Sequence, residues 1–207
     1  MTKIVAISDT HMRHRDLEVP EGDILIHAGD FTRKGKMEDV IDFNDWLGKL
    51  PHPNKIVIAG NHDFCFQSQH DESKKNLSNA IYLQDQSIEL LGLKIYGSPW
   101  QPWFFDWAFN LKRGQEIKAK WDLIPKGTDI LITHGPPMGI LDKTSKGKSV
   151  GCEELNRRIL EIKPKLHIFG HIHEAYGETL QNNISYINAS NCDLSYKPSN
   201  QPIVFEI

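Results

Sequence analysis

The chain has 207 residues, 39% of them hydrophobic and 25% charged, the balance of an ordinary globular protein long enough to bury a sizeable core. A formal net charge of −3 gives the whole molecule no electrostatic footprint for polyanions, which disfavours nucleic acid as a partner. The apolar run at the N-terminus, Ile4 to Ile7, is too short for a signal peptide or a membrane span. The scattered Cys65, Cys152 and Cys192 read as reduced thiols, so a cytoplasmic protein with no membrane partner is expected.

In chain order, Lys3 to Ser8 is the first of five apolar, β-branched runs of strand length, followed by Ile24 to Ala28, Lys55 to Ala59, Ile130 to Thr133 and Leu166 to Phe169. Near-continuous Val, Ile and Leu at this length predicts strands buried on both faces. Between them, Met37, Val40, Ile41, Phe43, Leu47 and Leu50 follow helical steps, ending at Pro51. Phe64 to Asn79 is polar and reads as a loop with some helix. Ile81 to Tyr96 reads as short strands and turns, with a hairpin at Leu91-Gly92-Leu93. Arg113 to Leu123 and Val150 to Ile162 repeat the helical pattern, and Tyr176 to Ile207 is β-rich. A mixed α/β fold follows, with residues 1–207 as one domain of two packed sheets flanked by helices.

Each of the five apolar runs is followed by polar side chains suited to hard metals: Asp9 and His11, Asp30, Asn61 with His62, His134, and His171 with His173. In open α/β sheets the loops after parallel strands gather at one edge, where ligands bind. One Asp-x-His after a strand is commonly a turn beside a surface histidine, but five such endings have no comparable packing explanation. Imidazoles, carboxylates and one amide, without thiolates, suit Mn²⁺, Fe, Zn²⁺, Co²⁺ or Ni²⁺. There are enough ligands for two divalent ions, and paired ions need a bridging carboxylate. Two aspartates against two dications leave a net positive site suited to phosphate.

The succession Asp9-x-His11, Gly29-Asp30, Gly60-Asn61-His62-Asp63, His134 and Gly170-His171-x-His173 resembles the calcineurin-like metallophosphoesterase superfamily. FNDWLG, KIVIAGNHD, IYLQD, AFNLKRGQ, DILITHGPP, PKLHIFGHIHE and YINAS resemble, nearly end to end, the metallophosphoesterase-domain-containing (MPPED) family of cyclic-nucleotide phosphodiesterase-like proteins. The resemblance implies a four-layer αββα sandwich holding two divalent ions, manganese foremost. Asp9, His11, Asp30 and His173 would hold one ion. Asp30, Asn61, His134 and His171 would hold the other, with Asp30 as the bridge. His62 falls where the family carries a histidine near the scissile phosphate, acting as a proton donor to the leaving oxygen, with Asp63 expected to orient it. Some MPPED members lack the first histidine of Gly-His-x-His; this chain keeps His171, so full activity is expected. The implied reaction is attack by a metal-bridging hydroxide on a cyclic nucleotide or other small nucleotide phosphodiester.

Other features read more plainly. Arg33, close behind Asp30, is a candidate to contact a substrate oxygen. The aromatic run Trp100 to Phe109 reads as packing, with one or two rings reaching substrate. His27 and His167, inside strands, read as core or supporting residues; His14, His52 and His70 read as solvent-facing. Lys143 to Lys148 reads as a solvated basic loop, and Asn188 and Ser190 as supports from a late strand. Competing functions are a phosphomonoesterase or nuclease with the same metal clamp, and a nucleotide-binding protein with little turnover.

Overall fold

A computed structural model describes all residues, 1–207. The five predicted strands form nearly where the patterning puts them: β1 (Lys3–Ile7), β2 (Ile24–His27), β3 (Asn54–Val57), β9 (Ile130–Thr133) and β10 (Leu166–Phe169). The rest of the sheet structure comes from β4 (Ile81–Tyr82), β5 (Gln86–Leu90), β6 (Leu93–Ser98), β11 (Gly177–Gln181), β12 (Ile184–Asn188) and β13 (Ile203–Glu206). One sheet runs β13-β1-β2-β3-β4 and the other β11-β12-β10-β9-β6-β5. A small ribbon pairs β7 (Gln101–Pro102) with β8 (Asn110–Leu111). The central pairings are parallel, and antiparallel strands β13, β11 and β5 lie at sheet edges.

Side-chain alternation builds the layers. Ile4, Ala6, Ile24, Ile26 and Ile56 face Ile95, Ile130, Ile132, Leu166 and Ile168 in a buried core between the sheets. The opposite face of the first sheet, through Val5, Ile7, Leu25 and Val57, packs on Val40, Phe43 and Leu47 of α1 (Met37–Lys49). Leu131 and Tyr186, on the outer face of the second sheet, meet Ile117, Trp121, Leu155 and Ile159 of α4 (Gln115–Trp121) and α5 (Glu153–Ile162). The four layers are therefore helix, sheet, sheet and helix, as the resemblance implies.

The polar segment after His62 is more ordered than the sequence suggests, folding into α2 (Phe64–Ser68) and α3 (His70–Asn76). Their apolar content is confined to a few anchors, Cys65, Phe66 and Leu77, buried against α1, so helical periodicity is too brief to read. The predicted hairpin forms at Leu91 and Gly92, both with positive φ (51° and 74°), matching the twist of β5 and β6.

Candidate metal centre

All five ligand clusters leave the carboxyl ends of parallel strands β1, β2, β3, β9 and β10, so chain direction alone brings them to one edge. The two sheets are stitched together there. Ser8, just after β1, bridges Ser190, just after β12, and the Asn191 N–H donates to the Ser8 carbonyl at 2.9 Å. Asp9, His11, Asp30 and His171 adopt left-handed backbone (φ 53°, 42°, 60° and 69°). This costs roughly 1–2 kcal/mol for an ordinary residue, so the surrounding structure must enforce it. Glycines let the loops approach: a Cβ on Gly60 would sit 2.2 Å from Asp30 Oδ1, and one on Gly170 2.1 Å from Asp9 Oδ2.

Each carboxylate is anchored through one oxygen and bare on the other. Asp9 Oδ2 accepts from the His171 N–H and the Ser190 hydroxyl, both at 2.9 Å, whereas buried Asp9 Oδ1 has no hydrogen-bond partner. Asp30 Oδ1 accepts the His62 N–H at 2.7 Å. Its Oδ2 stands 3.4 Å from His134 Nε2, 3.8 Å from His62 Nε2 and 4.0 Å from His11 Nε2.

Three imidazoles are aimed by backbone carbonyls. His134 Nδ1–H donates to Ala28 at 2.9 Å, His173 Nδ1–H to Asp193 at 2.9 Å, and His62 Nδ1–H to Arg33 at 2.7 Å. In each neutral ring the Nε2 lone pair then points to the centre. Lone pairs converge there: His173 Nε2 is 3.3 Å from both Asp9 Oδ1 and His11 Nε2, and His134 Nε2 is 3.0 Å from Asn61 Oδ1.

Acceptors this close repel unless a cation lies between them. A proton is the smallest such cation, and the titration behaviour follows. Burial opposes charge on His134 and His173, yet Asp30 and Asp9 respectively lift them to about 9. Burial likewise opposes ionisation of Asp9 and Asp30, yet His173 and His134 hold both well below the usual carboxylate range. His11 lacks so close a carboxylate, and burial pushes it down to about 4. Divalent ions fit this donor set. Three compact groups emerge, each with ligand atoms within 4.8 Å: Asp9, His11 and His173; His11, Asp30 and His62; Asp9, Asp30 and His134. Asn61 joins the last through its contact with His134, and the His171 ring stands 5.0 Å from that of His134.

Asp63 does not orient His62. Its carboxylate instead accepts the N–H groups of Asp30, Thr32 and Gly60 at 2.8–2.9 Å, and the Thr32 hydroxyl at 2.8 Å. It fastens the Asp30 loop to the Asn61 loop, and the orienting group for His62 is the Arg33 carbonyl. A main-chain acceptor leaves no residue-type signature, so sequence reading falls on the adjacent acid.

His27 and His167 do support the centre. His27 accepts the Gly29 N–H at Nδ1 and so donates from Nε2 to Thr10 Oγ1 at 3.0 Å, inside the Asp9-x-His11 turn. Asn188 and Ser190 are also in place: Ser190 Oγ lies 2.9 Å from both Asp9 Oδ2 and Asn188 Oδ1. By contrast, His14 and His52 are buried, not solvent-facing. His14 lies against Phe43 and Trp46, with Nε2 3.0 Å from Asp42 Oδ2; His52 Nε2 meets the Pro20 carbonyl at 2.9 Å. Polar neighbours in sequence hide that both turns fold back onto packed structure. His70 is half-buried.

Two cavities flank the centre. One, of about 550 Å³, passes His171, Phe104, Thr144 and Lys148, so the basic loop reaches the site's edge. The other, of about 500 Å³, opens at His62 and is lined by Arg33 together with Arg13, Lys34, Lys197, Trp107 and Tyr196. The aromatic run divides accordingly. Phe109 is core, Trp103, Phe104 and Phe105 are exposed rather than packed, and Trp107 stands 4.2 Å from the His62 ring. Tyr196 meets His11 edge-on at 4.7 Å; nothing in its sequence neighbourhood points to it, because a left-handed turn (φ 58°) presents it.

The profile of the calcineurin-like phosphoesterase family matches residues 2–175. Metallophosphoesterase domain-containing protein 1 of Homo sapiens is 46% identical over 231 residues, spanning 100% of this chain and 71% of that one. A UPF0046 protein of Caenorhabditis elegans is 40% identical over 99% of this chain and 80% of its own length. Among solved structures, TT1561 of Thermus thermophilus aligns over 90% of this chain and 88% of its own with a TM-score of 0.58 at 14% identity. That last likeness speaks to fold alone. With the profile spanning all five ligand clusters, the chain belongs to the calcineurin-like phosphoesterase family and is similar to its metallophosphoesterase-domain-containing members.

Proposed function

We propose that this metal-dependent phosphoester hydrolase is a phosphodiesterase acting on cyclic nucleotides or other small nucleotide diesters, with residues 1–207 working as one domain. One observation carries the reading. Asp9 Oδ1, which has no hydrogen-bond partner, converges with His173 Nε2, and Asp30 Oδ2 with His134 Nε2, beside a cavity of nucleotide size bounded by aromatic rings and cations. Asp9, His11, Asp30 and His173 would hold one divalent ion, and Asp30, Asn61, His134 and His171 the other, manganese first among the candidates for this nitrogen and oxygen set. When bound, the ions supply charge neutralisation at phosphate and lower the pKa of water toward neutrality.

The chain's own residues do the rest. His62, with Nδ1–H spent on Arg33, presents Nε2 to the cavity, and in its doubly protonated form that nitrogen carries the proton passed to a departing alkoxide, returning the ring to neutral. Asp63 keeps the Asp30 and Asn61 loops in register. Arg33 is placed to take a phosphate oxygen, and Trp107 to lie against a base. Three free, buried cysteines support a reducing, cytoplasmic setting, and no helix is long and apolar enough to cross a membrane.

The test is a metal-stripped, metal-reloaded preparation assayed on 3′,5′-cyclic, 2′,3′-cyclic and linear diesters and on monoesters. Diester hydrolysis restored by Mn²⁺ is the expected result. Absence of turnover with every reloaded metal would overturn the enzymatic reading; preference for monoesters would overturn the diesterase one.

A further inference from the structure

We infer that the cavity beyond His62 is a subsite for a second anionic group, so that the site selects nucleotides carrying a second phosphate. This rests on the diesterase reading above and narrows it. Half of the cavity's eight lining residues are cations: Arg13, Arg33, Lys34 and Lys197. No carboxylate lines it. Such a concentration is notable in a chain whose net charge is −3. Arg13 meets Asp16 at 2.7 Å through Nε, leaving its terminal nitrogens unspent, and Arg33 has only a long 3.4 Å contact to the His11 carbonyl.

Charge counting makes these cations surplus for a singly charged ester. Asp9 and Asp30 against two dications already leave the centre positive, more than enough for one phosphodiester charge. A further four positive groups on one side answer to additional negative charge on the ligand. Their position assigns it to the leaving group. His62 lines this same cavity, and its Nε2 lies 3.8 Å from Asp30 Oδ2, so the oxygen it protonates departs in the cations' direction. Tyr196 and Trp107 stand 6.1 Å and 4.2 Å from the His62 ring. They leave a ring-bearing moiety in contact with aromatic faces while its distal phosphate reaches Lys34 and Lys197.

Isothermal titration of the metal-loaded full chain with a nucleoside 5′-monophosphate and a nucleoside 3′,5′-bisphosphate tests the subsite without relying on turnover. The bisphosphate is expected to bind about tenfold or more tightly at low salt, the gap narrowing as salt rises. In Lys34→Gln/Lys197→Gln, whose exposed sites leave the fold intact by thermal unfolding, the ratio of the two affinities falls toward one. The kcat/KM ratio for a 2′,3′-cyclic nucleotide with and without a 5′-phosphate falls in parallel. Equal affinities in the unaltered chain, or a ratio the double substitution does not move, overturns the proposal. A short single-stranded oligonucleotide that outcompetes the bisphosphate overturns the assignment to a small nucleotide. A bisphosphate preference in a chain that hydrolyses nothing supports the subsite while sinking the diesterase reading, so the two failures are separable.

Discussion

The Thr133 hydroxyl receives the Nε2 proton of His167 at 2.8 Å and passes its own to the Gly135 carbonyl at the same distance. The neutral tautomer of a fully buried histidine is thereby fixed one residue before His134, and its Nδ1 has no partner. Burial pushes the imidazole down to about 3 from an ordinary 6.5. The unfolded chain therefore takes up the proton first as pH falls. Stability from this residue is complete above about 6.5, declines below it, and levels near pH 3. At pH 5 the loss is about 2 kcal/mol at roughly 1.36 kcal/mol per pH unit. Urea unfolding of His167→Leu should show a correspondingly smaller drop in midpoint between about pH 7 and pH 5 than the unaltered chain; an unchanged drop would remove His167 from the acid response.

Asp30 belongs to two of the three compact ligand groups, and its Oδ1 also anchors His62. Asp30→Asn should lower bound metal, measured by elemental analysis, from two equivalents to one or fewer, and kcat/KM by more than about 10²-fold. Retention of both ions would contradict a bridging position.

His62→Ala is expected to lower kcat by about 10²- to 10⁴-fold, the usual worth of a positioned proton donor, while metal content stays at the unaltered level. Because His62 Nε2 also converges with His11 and Asp30, loss of one ion in this variant would make it a ligand instead. Metal analysis beside steady-state kinetics decides between them.

Asp63→Asn sets an amide donor against backbone N–H groups of Asp30, Thr32 and Gly60, with only the Thr32 hydroxyl, by turning its proton to the His62 carbonyl, able to accept from it. The cost should be about 2–3 kcal/mol of stability, with weakened metal binding but no change in His62 orientation. Chemical denaturation and metal titration read these together; an undisturbed melting temperature would deny Asp63 its fastening role.

Gly60→Ala drives a methyl to 2.2 Å from Asp30 Oδ1 and 2.6 Å from the His134 ring. Loss of about 1–3 kcal/mol is expected from overpacking, accompanied by metal loss; Ala at exposed Gly127, with nothing nearby, strains a left-handed backbone (φ 77°) but leaves metal content unchanged. Calorimetric melting with and without added Mn²⁺ separates the two variants.

Asp9, His11, Asp30, Asn61, His134, His171 and His173 are legible in the sequence because parallel strands have a direction: a buried apolar run announces where its loop will emerge. The αββα layering follows from the same runs. What stays hidden is carried by atoms every residue possesses. The carbonyls of Ala28, Asp193 and Arg33 aim three imidazoles, and no pattern of side chains marks them. Tyr196 and Lys197 reach the cavity from a turn distant in sequence, and Arg13 and Lys34 look like ordinary surface cations until the loops assemble. The segment 64–79 reads as loop with some helix, and the extent of its two helices stays hidden because each needs only one or two apolar anchors.

His11 and His173 touch across 162 positions of chain, one side chain following the first strand and the other arriving after the tenth. Chain closure over such a span follows, rather than guides, the local pairing of either sheet. A nascent chain can thus complete its first sheet's central β-α-β units well before it owns a cation-binding centre. A chain stalled before Gly170 would carry Asp9, His11, Asp30, Asn61 and His134 but lack His171 and His173, so five of the seven candidate ligands would be present without the two that the second sheet delivers last.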